Sequence, residues 1–302
     1  MTRDGAQGTT QDGAQGTTQD GPQGTTRDGA QGTTLEVAQG ITLDGRHLET
    51  AWWGPLPTAA PTIVLLHEGL GCVALWRDLP SLLAQSTGCG VFAYSRFGYG
   101  QSDPNPLPWP LTYMRDEARD ILPRVLHAAG IRDAVLLGHS DGGSIAAVYA
   151  GSAHDPRPGG PTLRGIVLMA AHFFVEDLNI RSIEQIRAEY AQGRLRDRLA
   201  RYHRNVDIAF HGWNDSWLHP DFRAFDITDC LPRIEVPILA LQGADDPYGT
   251  GEQLRVLQQH VHAPCETMLI PGARHSPHLE AKDATLAAIT RFVRACLQEP
   301  AA

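Results

Sequence analysis

The residues best suited to chemistry in this 302-residue chain surround a serine flanked by glycines. The stretch GHSDGG, which contains Ser140, follows an apolar run at 134–137 and precedes a helix-like run at 144–150. Glycines two positions before and two after the serine permit a sharp strand-to-helix turn that exposes the hydroxyl. The helix that follows has unpaired N–H groups at its start, where an oxyanion would develop. The pattern therefore predicts that Ser140 is a nucleophile.

An acid and a base of the kinds that activate a serine follow later in the chain. The segment QGADDP ends one predicted strand with Asp245 and Asp246, and PGARHSPH ends the next with His275 and His278. A serine hydroxyl needs a base, and the base needs a carboxylate that fixes its tautomer and stabilises the imidazolium. We interpret His275 as the base; His278 is the nearby alternative, and we expect it instead in the first turn of the closing helix. Either aspartate is available as the acid.

The elements that must position these residues alternate between apolar and amphipathic runs. Strands are predicted at 62–67, 91–95, 134–139, 165–170, 238–242 and 267–270, and helices at 76–85, 111–129, 144–150, 252–260 and 281–297. This alternation predicts an α/β fold in which helices cover both faces of a mostly parallel sheet. Ahead of it, residues 35–43 and 46–53 are predicted to form a hairpin across Asp44-Gly45. In such sheets the active site lies beyond the carboxyl ends of the strands, where Ser140 and His275 fall.

Composition and charge argue against several other classes of protein. Apolar residues make up 42% of the chain. No run reaches the roughly 18 apolar residues of a membrane span, and the N-terminus lacks a secretory pattern, so we expect a cytoplasmic protein with no membrane partner. The net charge of −9 argues against nucleic acid as a partner. The five cysteines lack metal-site spacing, and we expect reduced thiols.

Neither a cofactor nor a metal is expected. The glycines at 98–100 are not followed by the rest of a dinucleotide-binding fingerprint. The histidines His203, His211 and His219 are evenly spaced but have no carboxylates that converge with them in the pattern. These residues therefore predict turns and a helical region, with no bound group.

The first 34 residues have a different character from the remainder. From Arg3 the chain repeats an eight-residue unit, as in RDGAQGTT, QDGAQGTT and QDGPQGTT. A unit without aromatic or large aliphatic residues cannot bury enough apolar surface to offset its ordering entropy. We therefore predict a disordered tail at 1–34. A stacked solenoid is the alternative, because the repeated Asp-Gly pair favours turns, although it supplies no core.

These motifs resemble, in type and order, those of α/β-hydrolase-fold enzymes. The resemblance covers residues 35–297 and rests on the loop HEGLG, the turn SRFGYGQS, the elbow GHSDGG and the two later segments. Within that superfamily, the elbow SDGG and the segment GWNDSW resemble the biphenyl-hydrolase-like and valacyclovirase-like serine hydrolases. The commoner loop begins His-Gly, whereas here Glu68 stands in second position.

The resemblance implies roles for individual residues. The acid of the family falls on the third residue after the strand-ending glycine, which is Asp246, so Asp245 would brace the turn. The N–H groups of Gly69 and Asp141 would form the oxyanion hole, with Leu70 next in line for the first donor. The alternative for the glycine-rich loop is a plain tight turn.

A divergent segment at 172–232 interrupts the alternation of strands and helices. Two helical stretches are predicted in it, near 183–191 and 195–203, followed by an aromatic-rich piece at 210–225. The resemblance implies that this segment is a helical lid, which divides the hydrolase core into 35–171 and 233–302. His172, just past a strand end, is expected at the rim of the pocket.

Aromatic and acidic residues suggest how a substrate would be held. Trp213, Trp217 and Phe173 are candidates for lining an acyl or leaving-group pocket, or for joining the lid to the body. Asp141 directly follows Ser140, and Glu68 lies in the loop HEGLG, so we expect both carboxylates at the pocket mouth on opposite sides of Ser140. Two free carboxylates there would attract a cation such as the ammonium of an amino ester. The alternative is that both carboxylates only brace their own loops.

The sequence as a whole favours a cofactor-independent serine hydrolase acting on a small carboxylic ester through an acyl-enzyme. Hydrolysis of a carbon–carbon bond in a diketone-type substrate would use the same residues and is the first alternative. A non-catalytic ligand-binding protein that retains the triad is the second. The substrate is expected to be a small molecule, and the oligomeric state is left open.

Overall fold

A computed structural model of the chain describes residues 37–38, 40–152 and 160–298. The predicted tail at 1–34 lies outside the described residues. The strands, β1 to β10 in chain order, are Val37–Ala38, Ile41–Leu43, Arg46–Leu48, Thr50–Trp53, Thr62–Leu66, Gly90–Tyr94, Asp133–His139, Thr162–Met169, Ile238–Gly243 and Cys265–Ile270.

The helices follow the predicted alternation. In the described part of the chain, α1 to α10 are Leu79–Thr87, Tyr113–Asp116, Leu122–Ala128, Asp141–Gly151, Asp177–Ala191, Arg194–Leu199, Val206–Trp217, Glu252–His260, Pro277–Glu280 and Lys282–Gln298. Short 3₁₀ turns occur at Val73–Trp76, Pro220–Ala224 and Thr228–Arg233, and a π-turn at Glu117–Ile121 joins α2 to α3. The long helix predicted at 111–129 is therefore interrupted near its middle.

Eight of the strands form one sheet in the order β1-β4-β6-β5-β7-β8-β9-β10. The six from β6 to β10 in that order are parallel, while β4 and β1 are antiparallel to their neighbours. All five residues of β5 are buried, because helices cover both faces of the sheet and leave no polar side to alternate with the apolar one. The structure thus confirms the predicted α/β architecture.

Two large core clusters lie one on each face of the sheet, and a smaller third cluster lies among α5, α6 and α7. On one face, α1 and α10 pack with side chains such as Leu83 and Ile289 against the sheet. On the other, α3, α4 and α8 contribute side chains such as Leu122, Ile145 and Leu257. Many side chains of α4 are small, so this helix packs closely against β7 and β8. The start of α4 therefore lies at the edge of the sheet.

The N-terminal hairpin forms where it was predicted, and its two arms pair in one register from Leu43 with Arg46 to Val37 with Trp52. Strands β2 and β3 pair across Asp44 and Gly45, whose φ angles of 52° and 77° match the two left-handed positions of a tight hairpin turn. The end of the second arm, β4, pairs with β1 on one edge and with β6 on the other, and so joins the hairpin to the main sheet. Trp52 and Trp53 are buried in it, so their apolar area favours the main sheet.

Strand register brings the functional loops to one edge of the sheet. Leu66 of β5 pairs with Gly138 of β7, and Gly243 of β9 pairs with Ile270 of β10. The loop after β5 therefore begins level with the turn after β7, and the loops after β9 and β10 begin level with each other. This edge is where open parallel sheets bind their ligands.

The segment between β8 and β9 holds α5, α6 and α7 with two of the 3₁₀ turns. Gly193, at φ 91°, ends the first helix and turns the chain into the second. Within the described residues, no helix combines the length and the apolar character that crossing a membrane requires. The five cysteines, all within the described residues, form no disulfide bond.

Candidate active site

Ser140 lies at the sharp turn between β7 and α4. Its φ of 54° and ψ of −119° are strained for any residue other than glycine. A side chain at Gly138 would collide with the backbone of Gly142, and one at Gly142 would collide with the carbonyl group of Leu66. Both glycines are therefore required by close backbone approach, as the pattern in the sequence indicated.

His275 and Asp246 are joined by two hydrogen bonds. His275 Nδ1 lies 3.0 Å from Asp246 Oδ1 and 2.8 Å from Oδ2. The Asp246 side chain is fully buried, and it also accepts hydrogen bonds from Gln242 Nε2 at 2.7 Å and the Tyr248 N–H at 2.8 Å. Burial alone would raise the pKa of Asp246, but the hydrogen bond and charge of His275 outweigh it and hold that pKa below its ordinary value. The carboxylate is thus ionised and fixes Nδ1 as the protonated nitrogen of His275.

The two alternative residues lie elsewhere. Asp245 is exposed, and its backbone N–H donates to the Ala273 carbonyl, so it braces the turn. His278 is buried in the short helix α9, with its ring 5.6 Å from that of Trp76 and 5.1 Å from that of His139. Burial lowers the pKa of His278 to about 3, so the ring is neutral.

Ser140 and His275 open into one cavity of about 100 Å³. From the sheet edge it is lined by Glu68, Gly69, Leu70, Ser140, Asp141, Tyr248 and His275; from the segment at 172–232, by His172, Asn179, Ile183, Trp213 and Trp217. No arginine or lysine is among the described residues that line it. The cavity is therefore small, largely apolar on one side and without a cation.

Two backbone segments meet the cavity beside Ser140. Asp141 is the first residue of α4, so its N–H has no acceptor within the helix. Gly69 lies so close to the indole of Trp213 that a side chain there would overlap the ring. The loop that contains Gly69 is closed by the Gly71 N–H, which donates to the Glu68 carbonyl at 3.1 Å. Both segments therefore lie at the cavity next to Ser140.

A match to known proteins extends over most of the chain. The family model of the alpha/beta hydrolase family matches residues 63–288. The chain belongs to the α/β hydrolase family. It is 29% identical over 236 residues to a non-heme chloroperoxidase of Streptomyces lividans, covering 67% of this chain and 80% of that protein.

Solved structures of other proteins share the α/β hydrolase fold. The 2-hydroxy-6-oxo-6-phenylhexa-2,4-dienoate hydrolase of Rhodococcus sp. strain RHA1 superimposes with a TM-score of 0.71 and 19% identity, covering 87% of this chain and all of that one. An esterase of Exiguobacterium antarcticum superimposes with a TM-score of 0.66 and 19% identity, covering 85% of this chain and all of that one. At this level of identity, the likeness concerns the fold alone.

In this α/β hydrolase, the carboxylate of Asp141 is not free to meet a cation. Asp141 is fully buried, and its Oδ2 accepts a hydrogen bond from the Tyr113 hydroxyl at 2.6 Å. The same hydroxyl accepts one from Trp217 Nε1 at 3.0 Å. Arg96 Nη2 lies 3.8 Å from Asp141 Oδ2. This corrects the expectation that two free carboxylates face the serine, because Asp141 serves the interior and only Glu68 retains a partly exposed side chain.

Arg96 lies in the turn SRFGYGQS, and the sequence alone predicted no role for it. It is buried, and Nη1 and Nη2 donate to the carbonyls of His67 and Glu68 at 2.5 and 3.2 Å. Its own N–H donates to His67 Nε2 at 3.0 Å, and His67 Nδ1 donates to the Glu68 carbonyl at 2.7 Å. Arg96 thereby fixes the loop after β5 from behind. The sequence signal for this role was an arginine directly after a predicted buried strand, because a charge in such a place requires hydrogen-bond partners.

The aromatic residues predicted for the pocket divide into two groups. Trp213 and Trp217 line the cavity. Phe173 does not: it is 1% exposed in the core, where its N–H donates to Gln253 and its carbonyl accepts from the Ile227 N–H. The residue before it, His172, lines the cavity instead, with its ring 5.9 Å from that of His275. The alternation of side chains places one of the two neighbours inward and the other toward the cavity.

The evenly spaced histidines of the segment at 172–232 do not converge. His203 is buried, accepts the Gly100 N–H at Nδ1 and donates from Nε2 to the Leu70 carbonyl, both at 3.0 Å. His211 and His219 contact aspartates of their own region. Among the described residues, no group of three or more His, Cys, Asp or Glu side chains is arranged to hold a metal ion. His203 instead ties this segment to the loop after β5.

Proposed function

We propose that this protein is a serine hydrolase that cleaves a small, uncharged carboxylic ester through an acyl-enzyme. The observation that carries the proposal is the pair of hydrogen bonds between His275 Nδ1 and buried Asp246, with His275 sharing its cavity with Ser140 on the strained turn. Strain and burial at these positions cost stability, and they are typical of a site that is held ready for reaction.

The chemistry follows from the arrangement of these groups. Ser140 Oγ attacks the ester carbonyl carbon, and His275 Nε2 accepts the hydroxyl proton. The negative oxygen is held by the N–H groups of Asp141 and Gly69, or Leu70 in its place. The bond to the alcohol oxygen breaks, and His275 returns the proton to that oxygen. Water then attacks the acyl-enzyme by the same route, releasing the acid and restoring Ser140.

Asp246 and the segment at 172–232 have supporting roles in the proposal. The buried carboxylate of Asp246 holds the Nδ1 proton of His275 and stabilises the imidazolium that forms on proton transfer. The segment acts as a lid, because Trp213, Trp217 and Ile183 cover one side of the cavity and exclude water from it.

The cavity supports a small neutral acyl group. Its volume of about 100 Å³ is below the roughly 300 Å³ at which pockets for drug-sized ligands begin. A dienoate, the substrate class named for the Rhodococcus hydrolase, carries a carboxylate that would need a cation for its binding. The lining described here holds the acidic Glu68 and no arginine or lysine. Carbon–carbon hydrolysis of such an acid is therefore less favoured than ester hydrolysis.

Labelling and turnover together test the proposal. The wild-type protein should react with a fluorophosphonate probe, and Ser140→Ala should not. A panel of acetyl, butyryl and octanoyl esters, with a dienone acid added, should show the highest kcat/KM for the short neutral esters. Faster turnover of the dienone acid would establish carbon–carbon hydrolysis instead. Absence of both labelling and turnover in the wild type would indicate a ligand-binding protein.

A further inference from the structure

A carboxylate and an imidazole outside the proposed triad, those of Glu68 and His139, lie next to each other. Glu68 belongs to the loop after β5, and His139 is the residue directly before Ser140. Glu68 Oε2 lies 3.4 Å from His139 Nδ1, and His139 is buried. Gly71 makes space for this carboxylate, because a side chain at that position would overlap it. The loop is therefore shaped to hold the Glu68 carboxylate beside His139, the last residue of β7.

The other nitrogen of His139 is already committed. His139 Nε2 lies 2.7 Å from the carbonyl oxygen of His275, so Nε2 must carry a proton and donate it. In a neutral ring Nδ1 would then present a lone pair to the Glu68 carboxylate, which is repulsive. Protonation of Nδ1 converts this contact into an attractive one. The placement of two acceptors on opposite sides of one ring favours the imidazolium.

The surrounding groups agree with a charged ring. The titratable side chains that face His139 are Glu68 from the loop after β5, His275 and His278 from the chain after β10, and Asp246 beyond His275. Burial lowers the pKa of His139, but the contact with Glu68, together with the carbonyl of His275 and the charge of Asp246, outweighs it and leaves that pKa above its ordinary value. His278 is neutral, so it does not oppose the charge.

We propose that Glu68 and His139 form an ion pair that positions the loop after β5 relative to the loop of His275. Glu68 holds the side of the site that supplies oxyanion donors, and His139 holds the backbone of the proposed base. Strands β5 and β10 are separated in the sheet by β7, β8 and β9, so no backbone ladder links these loops directly. The pair supplies that link through the residue next to the nucleophile. The inference rests on the proposed function, and it assigns Glu68 to positioning in place of substrate binding.

The ionisation of the pair is testable without any turnover. The pKa of His139 is measured by NMR titration of imidazole nitrogen shifts, with the signal assigned from a His139→Gln variant. In the wild type it should lie above the ordinary histidine value of about 6.5. In Glu68→Gln it should fall by at least about one unit, since burial remains and the negative charge is gone. The same pKa in both proteins would overturn the ion pair.

Kinetics separate positioning from substrate binding. For a neutral ester, Glu68→Ala should lower kcat by about tenfold to a hundredfold with little change in KM, because misplaced reacting groups lose rate and not affinity. Glu68→Gln should retain more of kcat, since its amide can still donate to a neutral Nδ1. Glu184→Gln, the same change in charge at an exposed position of α5, is the control and should match the wild type.

Contrary outcomes are distinct from failure of the proposed function. If Glu68→Ala raises KM and spares kcat, Glu68 binds substrate and the positioning role is wrong. If Glu68→Ala leaves kcat within about twofold, the link between the loops has no catalytic effect. Circular dichroism and the melting temperature show whether each variant is folded. If the wild type neither labels nor turns over, the serine hydrolase proposal fails, while the titration still decides whether the ion pair exists.

Discussion

The loops at the sheet edge and the segment at 172–232 face the same cavity but contribute different kinds of atoms. The loops bring the hydroxyl of Ser140, the imidazole of His275 and backbone N–H groups, each held by strand register or by a buried hydrogen bond. The segment brings mainly the apolar surface of Trp213, Trp217 and Ile183. Under the proposed function, the groups that react thus lie on the sheet edge, and the groups that determine cavity size lie on the inserted segment.

If this division is correct, the largest loss should come from the sheet edge. Ser140→Ala should lower kcat by roughly 10⁶, leaving only the rate that binding and the oxyanion donors provide. The fold should be unchanged, because the hydroxyl is a small group and the turn is set by the flanking glycines. Ester turnover and a melting curve measure both effects. Retention of more than about a tenth of the activity would remove the serine mechanism.

The two neighbouring aspartates sharpen the comparison within the sheet edge. Asp246→Asn should lower kcat by about 10⁴, because the amide cannot hold His275 in the required tautomer. Asp245→Asn is the matched control, an identical change one residue away on an exposed side chain, and its kcat should stay near the wild-type value. Rates measured with one short ester are sufficient. The opposite ranking would assign the acid to Asp245.

On the inserted segment, substitution should change selectivity more than rate. Trp213→Leu enlarges the cavity, so the ratio of kcat/KM for an octanoyl ester to that for an acetyl ester should rise by about tenfold. Phe173→Leu removes ring volume from the same segment, but at a buried position outside the cavity lining, and should leave the ratio unchanged. A ratio that is equal in Trp213→Leu and the wild type would show that this segment does not define the acyl site.

The smallest effect concerns stability and not turnover. Folded His278 has a pKa of about 3, so between pH 6.5 and 3 the unfolded chain binds a proton that the folded chain does not. Stability is therefore greatest above the unfolded pKa and declines as the pH falls. At about pH 5 this one residue should cost about 2 kcal/mol relative to neutral pH.

Urea unfolding at the two pH values measures the decline. His278→Gln should lose less stability between them than the wild type does. His262→Gln, at an exposed position, should lose as much as the wild type. An equal loss in all three proteins would mean that His278 is protonated in the folded state, and that the interior behind the sheet edge is more polar than its packing indicates.

Much of the fold was predictable because its signals are local. Buried strands such as β5 and β7 appear as short apolar runs, and the turn at Asp44-Gly45 has a composition that fits few other conformations. The pairing of β4 with β6 was not predictable, since a strand's choice of partner depends on which surface is available to cover Trp52 and Trp53.

In the candidate site too, the sequence did not predict the features that depend on residues far apart in the chain. Phe173 and His172 are adjacent, and nothing in their own sequence says which of them faces the cavity. Arg96 and Glu68 were both visible in short motifs, but their partners lie 28 or more residues away. Hydrogen bonds between such distant residues form only after the sheet has brought the strand ends together.

The sequence by itself determined the turn at Ser140 through Gly138, because a side chain there would collide with the nearby backbone of Gly142. Gly142 is required by the carbonyl group of Leu66, which only the folded sheet brings close. The sequence also determined the order in which serine, acid and base reach the sheet edge. Only the tertiary structure decided what Asp141 and Glu68 do with their charges. Tyr113, His139 and Arg96 reach them from separate elements, and a buried carboxylate takes its role from whichever donors the fold places beside it.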